Sequence, residues 1–239
     1  AQAVADCTFR VARGEIVGVA GVAGNGQREL ADAIVGVLPV ASGTVELAGV
    51  DISRAPIQER IARGLLYIPE DRIADGLLPT HSVADNLTLG LHPYLLMGRW
   101  FLQPGAVRDL ARRLIGEYGI ATEDENAPAG NLSGGNIQRL LVSRAMTLAG
   151  RTGGKVLVAM NPTRGLDVRA TAFIQQRLRR FRAEGGGILL VSADLDELME
   201  LCDQILVMYR GRIVGGLPRA GFDHLRIGRL MAGSQAGPE

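Results

Sequence analysis

A short apolar run, Ile16 to Ala20, ends in Gly21-Val-Ala-Gly-Asn-Gly26, and helical periodicity through Leu30, Ile34 and Val35 begins at once. Three glycines between a strand and a helix leave the backbone free to curl where side chains would forbid it. Backbone N–H groups there, together with the helix N-terminus, make a natural cradle for an anion. The same strand-then-helix alternation continues along the chain. Strands are predicted at 44–47, 65–68, 156–160 and 188–192, helices at 57–63, 168–184 and 195–202, and a closing hairpin at 204–209 and 212–214 about Gly211. Such alternation predicts an α/β fold, and ligands of such folds sit beyond the strand ends.

The middle, about residues 74 to 150, reads differently. It is helical, with Val107, Leu110, Leu114 and Ile115 at helical spacing and a second helix from Gly134 to Leu148. Composition narrows the function classes. The chain has 239 residues, 47% of them hydrophobic and 21% charged, which is ordinary globular usage rather than disorder. A net charge of +1 argues against a nucleic-acid-binding face. No apolar run reaches the roughly 18–20 residues that span a bilayer. The opening AQAVADCTFR does not read as a secretory signal. Cys7 and Cys202 lie far apart without metal-like spacing, so free thiols in a reducing compartment are expected.

Two spacings test the glycine loop. The dinucleotide fingerprint needs a third glycine where Glu29 stands, so it fails. The nucleotide phosphate loop, G-x-x-x-x-G-K-[ST], fits Gly21 to Gly26, but Gln27 and Arg28 fill its last two places. Gln27 cannot neutralise a phosphate and Arg28 offers no hydroxyl to a magnesium ion. From the loop alone, a plain glycine-rich turn remains as good a reading as a degenerate phosphate site.

Asn131-Leu-Ser-Gly-Gly-Asn-Ile-Gln-Arg139 opens a helix about 110 residues beyond that loop. The strand Val156 to Met160 follows, and then Asn161-Pro-Thr-Arg-Gly-Leu-Asp167. This order resembles the nucleotide-binding domain of ABC transporters over essentially the whole chain. The resemblance implies an α/β phosphate-loop cassette: a mixed sheet core with an antiparallel β portion, a single domain over 1–239, and a helical subdomain at about 74–150 inserted into it. It makes Leu132, Ser133, Gly134, Gly135 and Asn136 the signature motif and Asp167 the D-loop residue. Gly21, Gly24, Asn25, Gly26, Gln27 and Arg28 become the nucleotide-binding loop, and Glu70 and Arg72 lie in the Q-loop segment that couples to the membrane subunits.

The departures from the family pattern are as informative as the match. Hydrolysis in this family uses a loop lysine, a magnesium-binding aspartate, a carboxylate beside the attacking water and a histidine near the γ-phosphate. Gln27, Met160, Asn161 and Ala193 stand in those places. The sole lysine, Lys155, precedes the strand and cannot rescue the loop. Cassettes of this family work in head-to-tail pairs, so each chain carries two half-sites. This chain is expected to have lost its own catalytic half and to donate the signature to a partner. ATP is the implied ligand, with Mg2+ mainly at the partner site and no metal held by this chain.

PEDR at 69–72, LSGGNxQ and PTRGLDV are similar to the second cassette of tandem sugar importers, and the residues before Pro162 are similar to the nucleoside and lipoprotein-receptor branch of that group. That implies a first cassette on the same polypeptide, permease subunits, indirectly a solute-binding protein, no nucleic acid, and a peripheral place on the cytoplasmic face of the membrane. A scaffold cassette that binds no nucleotide and a soluble ABC protein acting elsewhere are the alternatives. His81, His92 and His224 read as surface or capping residues, Asp194, Asp196 and Glu197 as a helix start, and Arg177, Arg179, Arg180 and Arg182 as a solvated helix face. Trp100 and Phe101 suit either a core or a permease-facing surface.

Overall fold

The structure is a computed structural model and describes residues 4–94, 96–97, 101–102 and 104–233. Its strands are β1 (Ile16–Ala20), β2 (Glu46–Leu47), β3 (Val50–Asp51), β4 (Leu65–Ile68), β5 (Leu96–Met97), β6 (Phe101–Leu102), β7 (Val156–Met160), β8 (Gly187–Val191), β9 (Gln204–Tyr209) and β10 (Arg212–Pro218). Its helices are α1 (Gln27–Val35), α2 (Ile57–Ala62), α3 (Val83–Thr88), α4 (Pro104–Tyr118), α5 (Gly134–Thr152), α6 (Val168–Ala183), α7 (Leu195–Leu201) and α8 (His224–Met231). The chain divides into two compact units, one formed by Ala1–Tyr67, Gly154–Asn161 and Leu178–Glu239, the other by Ile68–Gly153 and Pro162–Arg177.

A six-stranded sheet in the order β10-β9-β1-β8-β7-β4 organises the first unit. β1 lies parallel between β8 and β9, and β7 runs parallel to β8. Every residue of β1 and β8 is buried, as expected of central strands covered on both faces. Val17, Val19, Leu30, Val158, Met160, Leu189 and Val191 share one apolar core. β10 pairs antiparallel with β9 and continues past a bulge between Ile213 and Gly215 as far as Pro218. The hairpin strand expected to stop at 214 therefore extends four residues, because the ladder resumes beyond the bulge. Of the strand expected at 44–47, only Glu46–Leu47 pairs, with β3.

In the second unit α5 carries a buried stripe of Ile137, Leu140, Leu141, Ala145 and Leu148, and α3 and α4 pack with it. Pro104 opens α4, where its missing N–H costs nothing. Sequence periodicity gives no sign of α3, which has only six residues, but its capping box is complete: Ser82 Oγ accepts from Asp85 N and the Asp85 carboxylate accepts from Ser82 N. The stretch expected as a loop around Trp100 carries the small β5–β6 ladder; Trp100 itself lies outside the described residues.

Candidate functional site

The glycine loop lies where β1 runs into α1. Gly24 and Gly26 hold φ of +87° and +101°, values that L side chains rarely adopt. Asn25 fixes the loop from two sides. Its amide Nδ2 donates to Val22 O at 3.0 Å, while its Oδ1 and its carbonyl accept from Arg210 N and Gly211 N at 2.8 and 2.9 Å. The turn between β9 and β10 thus clamps the glycine loop. Gln27 bends back into that loop and donates Nε2 to Val22 O at 3.1 Å, leaving the residue only 8% exposed. A Cβ on Gly21 would come within 2.3 Å of that Nε2 and 2.8 Å of Met208 O, so glycine is obligatory there. Arg28 turns along the helix, 3.7 Å from Asp32. The loop keeps the shape of a phosphate cradle, but the side chain at its centre is neutral.

Met160, at the end of β7, is 1% exposed and belongs to the apolar core with Val17 and Leu30. A buried thioether supplies none of the hard oxygen that magnesium wants. Asn161 has φ +44° and donates its N–H to Val191 O at 2.7 Å. Its Oδ1 accepts from Ala193 N at 2.9 Å. The structure therefore joins Asn161 and Ala193 by a side-chain clasp across the sheet end. A carboxamide held this way takes no proton from water. Among the described residues, no group of three or more His, Cys, Asp or Glu could hold a metal ion. This half-site does not fit a divalent cation.

The Leu132 to Asn136 segment lies in the other unit, at the start of α5. Ser133 occupies the N-cap without a side-chain cap bond, and it is exposed. Its Oγ accepts from Asn136 Nδ2 at 3.0 Å, and Asn136 Oδ1 accepts from Ala121 N at 2.9 Å. This leaves the Ser133 hydroxyl proton to donate outward, above a 19-residue helix whose first N–H groups carry the positive end of its dipole. A Cβ on Gly135 would meet Ala170 Cβ at 3.9 Å, and one on Gly134 would meet Arg72 Nη1 at 3.6 Å, both ordinary contacts. Neither glycine holds a positive φ. The chain's own packing does not require glycine at either position. Leu132 is half-buried and anchors the start of the motif by donating its N–H to Ala129 O at 3.2 Å.

Asp167 caps α6: its Oδ1 accepts from Ala170 N at 2.8 Å and its carbonyl from Thr171 N at 2.9 Å. Val168 beside it is 85% exposed, an apolar side chain presented to solvent at that corner. Glu70 pairs with Arg164 at 3.0 Å, and Arg72 donates to the carbonyls of Gly134 and Arg164. The segment of Glu70 and Arg72, the segment leading to Asp167 and the start of α5 meet in this unit.

The family model for ABC transporters matches residues 4–152. The guanosine import ATP-binding protein NupO of Bacillus subtilis is 38% identical over 236 residues, which is 98% of this chain and 45% of that protein. This chain belongs to the ABC transporter family. The ribose import ATP-binding protein RbsA 1 of Rubrobacter xylanophilus is 39% identical over 97% of this chain and 46% of its own length. The nucleoside import ATP-binding protein NupA of Lactococcus lactis is 36% identical over 93% and 44%. The chain thus spans less than half the length of these curated relatives. Among solved structures, dimeric MJ0796, an ABC transporter cassette, superposes with a TM-score of 0.76 at 20% identity, covering 92% of each chain, a likeness of fold.

Several residues of this ABC chain do more than their sequence context suggests. The run on α6 is not a uniformly solvated face. Arg177 stacks on Tyr118 and Phe173, with ring centres at 4.5 and 5.0 Å, and Arg182 bonds Asp203 Oδ1 at 2.6 Å and Gly14 O at 2.9 Å. Only Arg179 and Arg180 meet the expectation, as exposed ion pairs with Glu200 and Glu184. Asp194 caps α7, and Asp196 faces His224 at 2.7 Å. Sequence reasoning passes over Arg60, because an arginine whose partners are all main-chain carbonyls leaves no motif. Gln138, one turn into α5, is fully buried, and among the described residues neither of its amide atoms has a partner. Cys7 and Cys202 are free, and burial pushes both thiols up.

Proposed function

We propose that this chain is the second, C-terminal cassette of a longer two-cassette ATP-binding protein in a bacterial ABC importer for a simple sugar or a nucleoside. It donates its signature to the ATP held by the first cassette. The observation that carries the reading is the contrast between its two half-sites. The start of α5 is exposed, uncapped by a side chain and bare at Gly134 and Gly135. The opposite half has Met160 in the core and Asn161 tied to Ala193. The names of the relatives, import proteins for guanosine, ribose and nucleosides, support the transport class. In this reading the unit of residues 68–153 and 162–177 is the helical subdomain. Glu70 and Arg72 link it to the permease subunits, Asp167 stands at the cassette interface, and Mg2+ is held chiefly by the partner. The assembly sits on the cytoplasmic face of the membrane and takes its solute indirectly from a binding protein. The folded-in Gln27 favours a narrower version in which the chain's own loop holds no nucleotide.

A hydrogen bond to a charged group is worth roughly 1.5–3 kcal/mol, or about ten- to a hundredfold in rate. Gly135→Asp adds a negative charge beside a phosphate as well. In the reconstituted transporter, Gly135→Asp is expected to abolish steady-state phosphate release, whereas Gln27→Ala keeps most of it. If Gln27→Ala were the more damaging, the working site would be this chain's own and the reading would be wrong.

A further inference from the structure

Resting on the donor reading above, we infer that Arg72 is a positioning residue that clamps the D-loop segment to the signature helix, with Glu70 keeping the clamp shut by neutralising Arg164. Arg72 sits in a closed turn: Asp71 Oδ1 accepts from Ile73 N and Ala74 N at 3.0 and 2.9 Å, and Asp75 N donates to Asp71 O at 3.1 Å. From that fixed base the two Nη groups diverge. One donates to Gly134 O, the first carbonyl of α5, at 3.4 Å, and the other donates to Arg164 O. A planar fork suits two separate carbonyls, whereas an ammonium group concentrates its charge at one point.

The two carbonyls belong to the segments that present Ser133 and Asp167, so the fork ties both to one rigid turn. The arrangement brings two guanidinium groups close together. Partial burial, with the positive charge of Arg164 added to it, holds Arg72 below its usual pKa. Glu70 offsets that repulsion by pairing with Arg164 at 3.0 Å. The clamp uses the backbone of Arg164, not its side chain, and this separates the two roles experimentally. Loss of the Glu70 charge leaves two cations facing each other. Loss of the Arg164 side chain as well removes the repulsion and leaves the accepting carbonyl in place.

The test uses the reconstituted transporter, with phosphate release followed against ATP concentration. Arg72→Lys is expected to lower kcat about tenfold, the scale of one well-placed hydrogen bond. It should leave KM for ATP within about twofold, because the nucleotide is held by the other cassette and only closure is impaired. The unfolding midpoint should stay the same. Glu70→Gln should lose about threefold, and Glu70→Gln combined with Arg164→Ala should recover most of that loss. Wild-type kcat in Arg72→Lys overturns the clamp, and so does a fall in kcat matched by a fall in the unfolding midpoint. The double variant tests the charge argument without touching Arg72, and a double variant no better than Glu70→Gln overturns the role given to Glu70. Gly135→Asp is the control for the underlying reading. An active Gly135→Asp transporter sinks the donor reading itself, whereas an inactive one beside a normal Arg72→Lys sinks the clamp alone.

Discussion

Gln27 illustrates how a neutral side chain settles into a glycine loop between a strand and a helix. Its carboxamide bonds Val22 O and fills the space behind Gly21. The sequence makes the four departures at Gln27, Met160, Asn161 and Ala193 plain, because each is a residue type that cannot do the expected chemistry. It does not reveal what they do instead. That Asn161 Oδ1 would accept from Ala193 N depends on two chain segments meeting at the sheet end, and no local pattern encodes that contact. The consequence is testable with one reversal. Gln27→Lys restores a charge to the loop, but Met160 remains in the core and Asn161 remains a carboxamide. Magnesium-dependent phosphate release by the isolated variant should stay within about twofold of the parent chain, since transition-state charge is stabilised only where the full set of groups is preorganised. A hundredfold gain would mean that the other three departures are harmless.

Among the elements, the long periodic helices and the apolar strands were legible, and the short or interrupted pieces were not. β1, β4, β7 and α5 declare themselves by apolar pattern, whereas α3 is too short to show a period and β10 hides its second half behind a bulge. The tethering of α1 is the clearest case of information absent from local sequence. Arg60, 2% exposed on α2, donates Nη1 to Ala33 O and Ile34 O at 2.9 and 2.6 Å, Nη2 to Ser53 O at 2.9 Å and Nε to Ala55 O at 2.9 Å. A cation at a helix C-terminus satisfies orphan carbonyls and complements the dipole. It also fixes the far end of the helix that begins at the glycine loop, and Gly36 leaves room for it, since a Cβ there would lie 2.8 Å from Arg60 Nε. Arg60→Met leaves those carbonyls buried without a donor and should cost about 3 kcal/mol in urea unfolding. Arg60→Lys should recover little of it, because one ammonium cannot reach four carbonyls. Full stability in Arg60→Lys would show that charge alone holds α1.

For the whole molecule, the near-neutral charge and the alternating elements pointed to an α/β chain without a nucleic-acid face, and the order of motifs along the chain pointed to the family. Among the described residues no helix is long and apolar enough to cross a membrane. What the sequence could not show is that the glycine loop and the start of α5 fall in different compact units, the loop bonded to its own Gln27 side chain and the helix start without a side-chain cap. On the proposed donor reading, Ser133 and the first N–H groups of α5 hold a phosphate only weakly by themselves, and the nucleotide arrives on another cassette. Binding that needs both surfaces is linked to ligand by mass action. ATP should therefore tighten the association of this chain with a hydrolysis-blocked but ATP-binding cassette by about ten- to a hundredfold, the value of one or two charge-assisted hydrogen bonds. ADP, which lacks the γ-phosphate, should add little. Sedimentation of the mixture with and without nucleotide measures the effect directly. Gly135→Asp in this chain should erase the ATP increment while leaving any nucleotide-independent contact in place. Association that is equally strong without nucleotide, or an ATP increment that survives Gly135→Asp, would make this chain a scaffold rather than a donor.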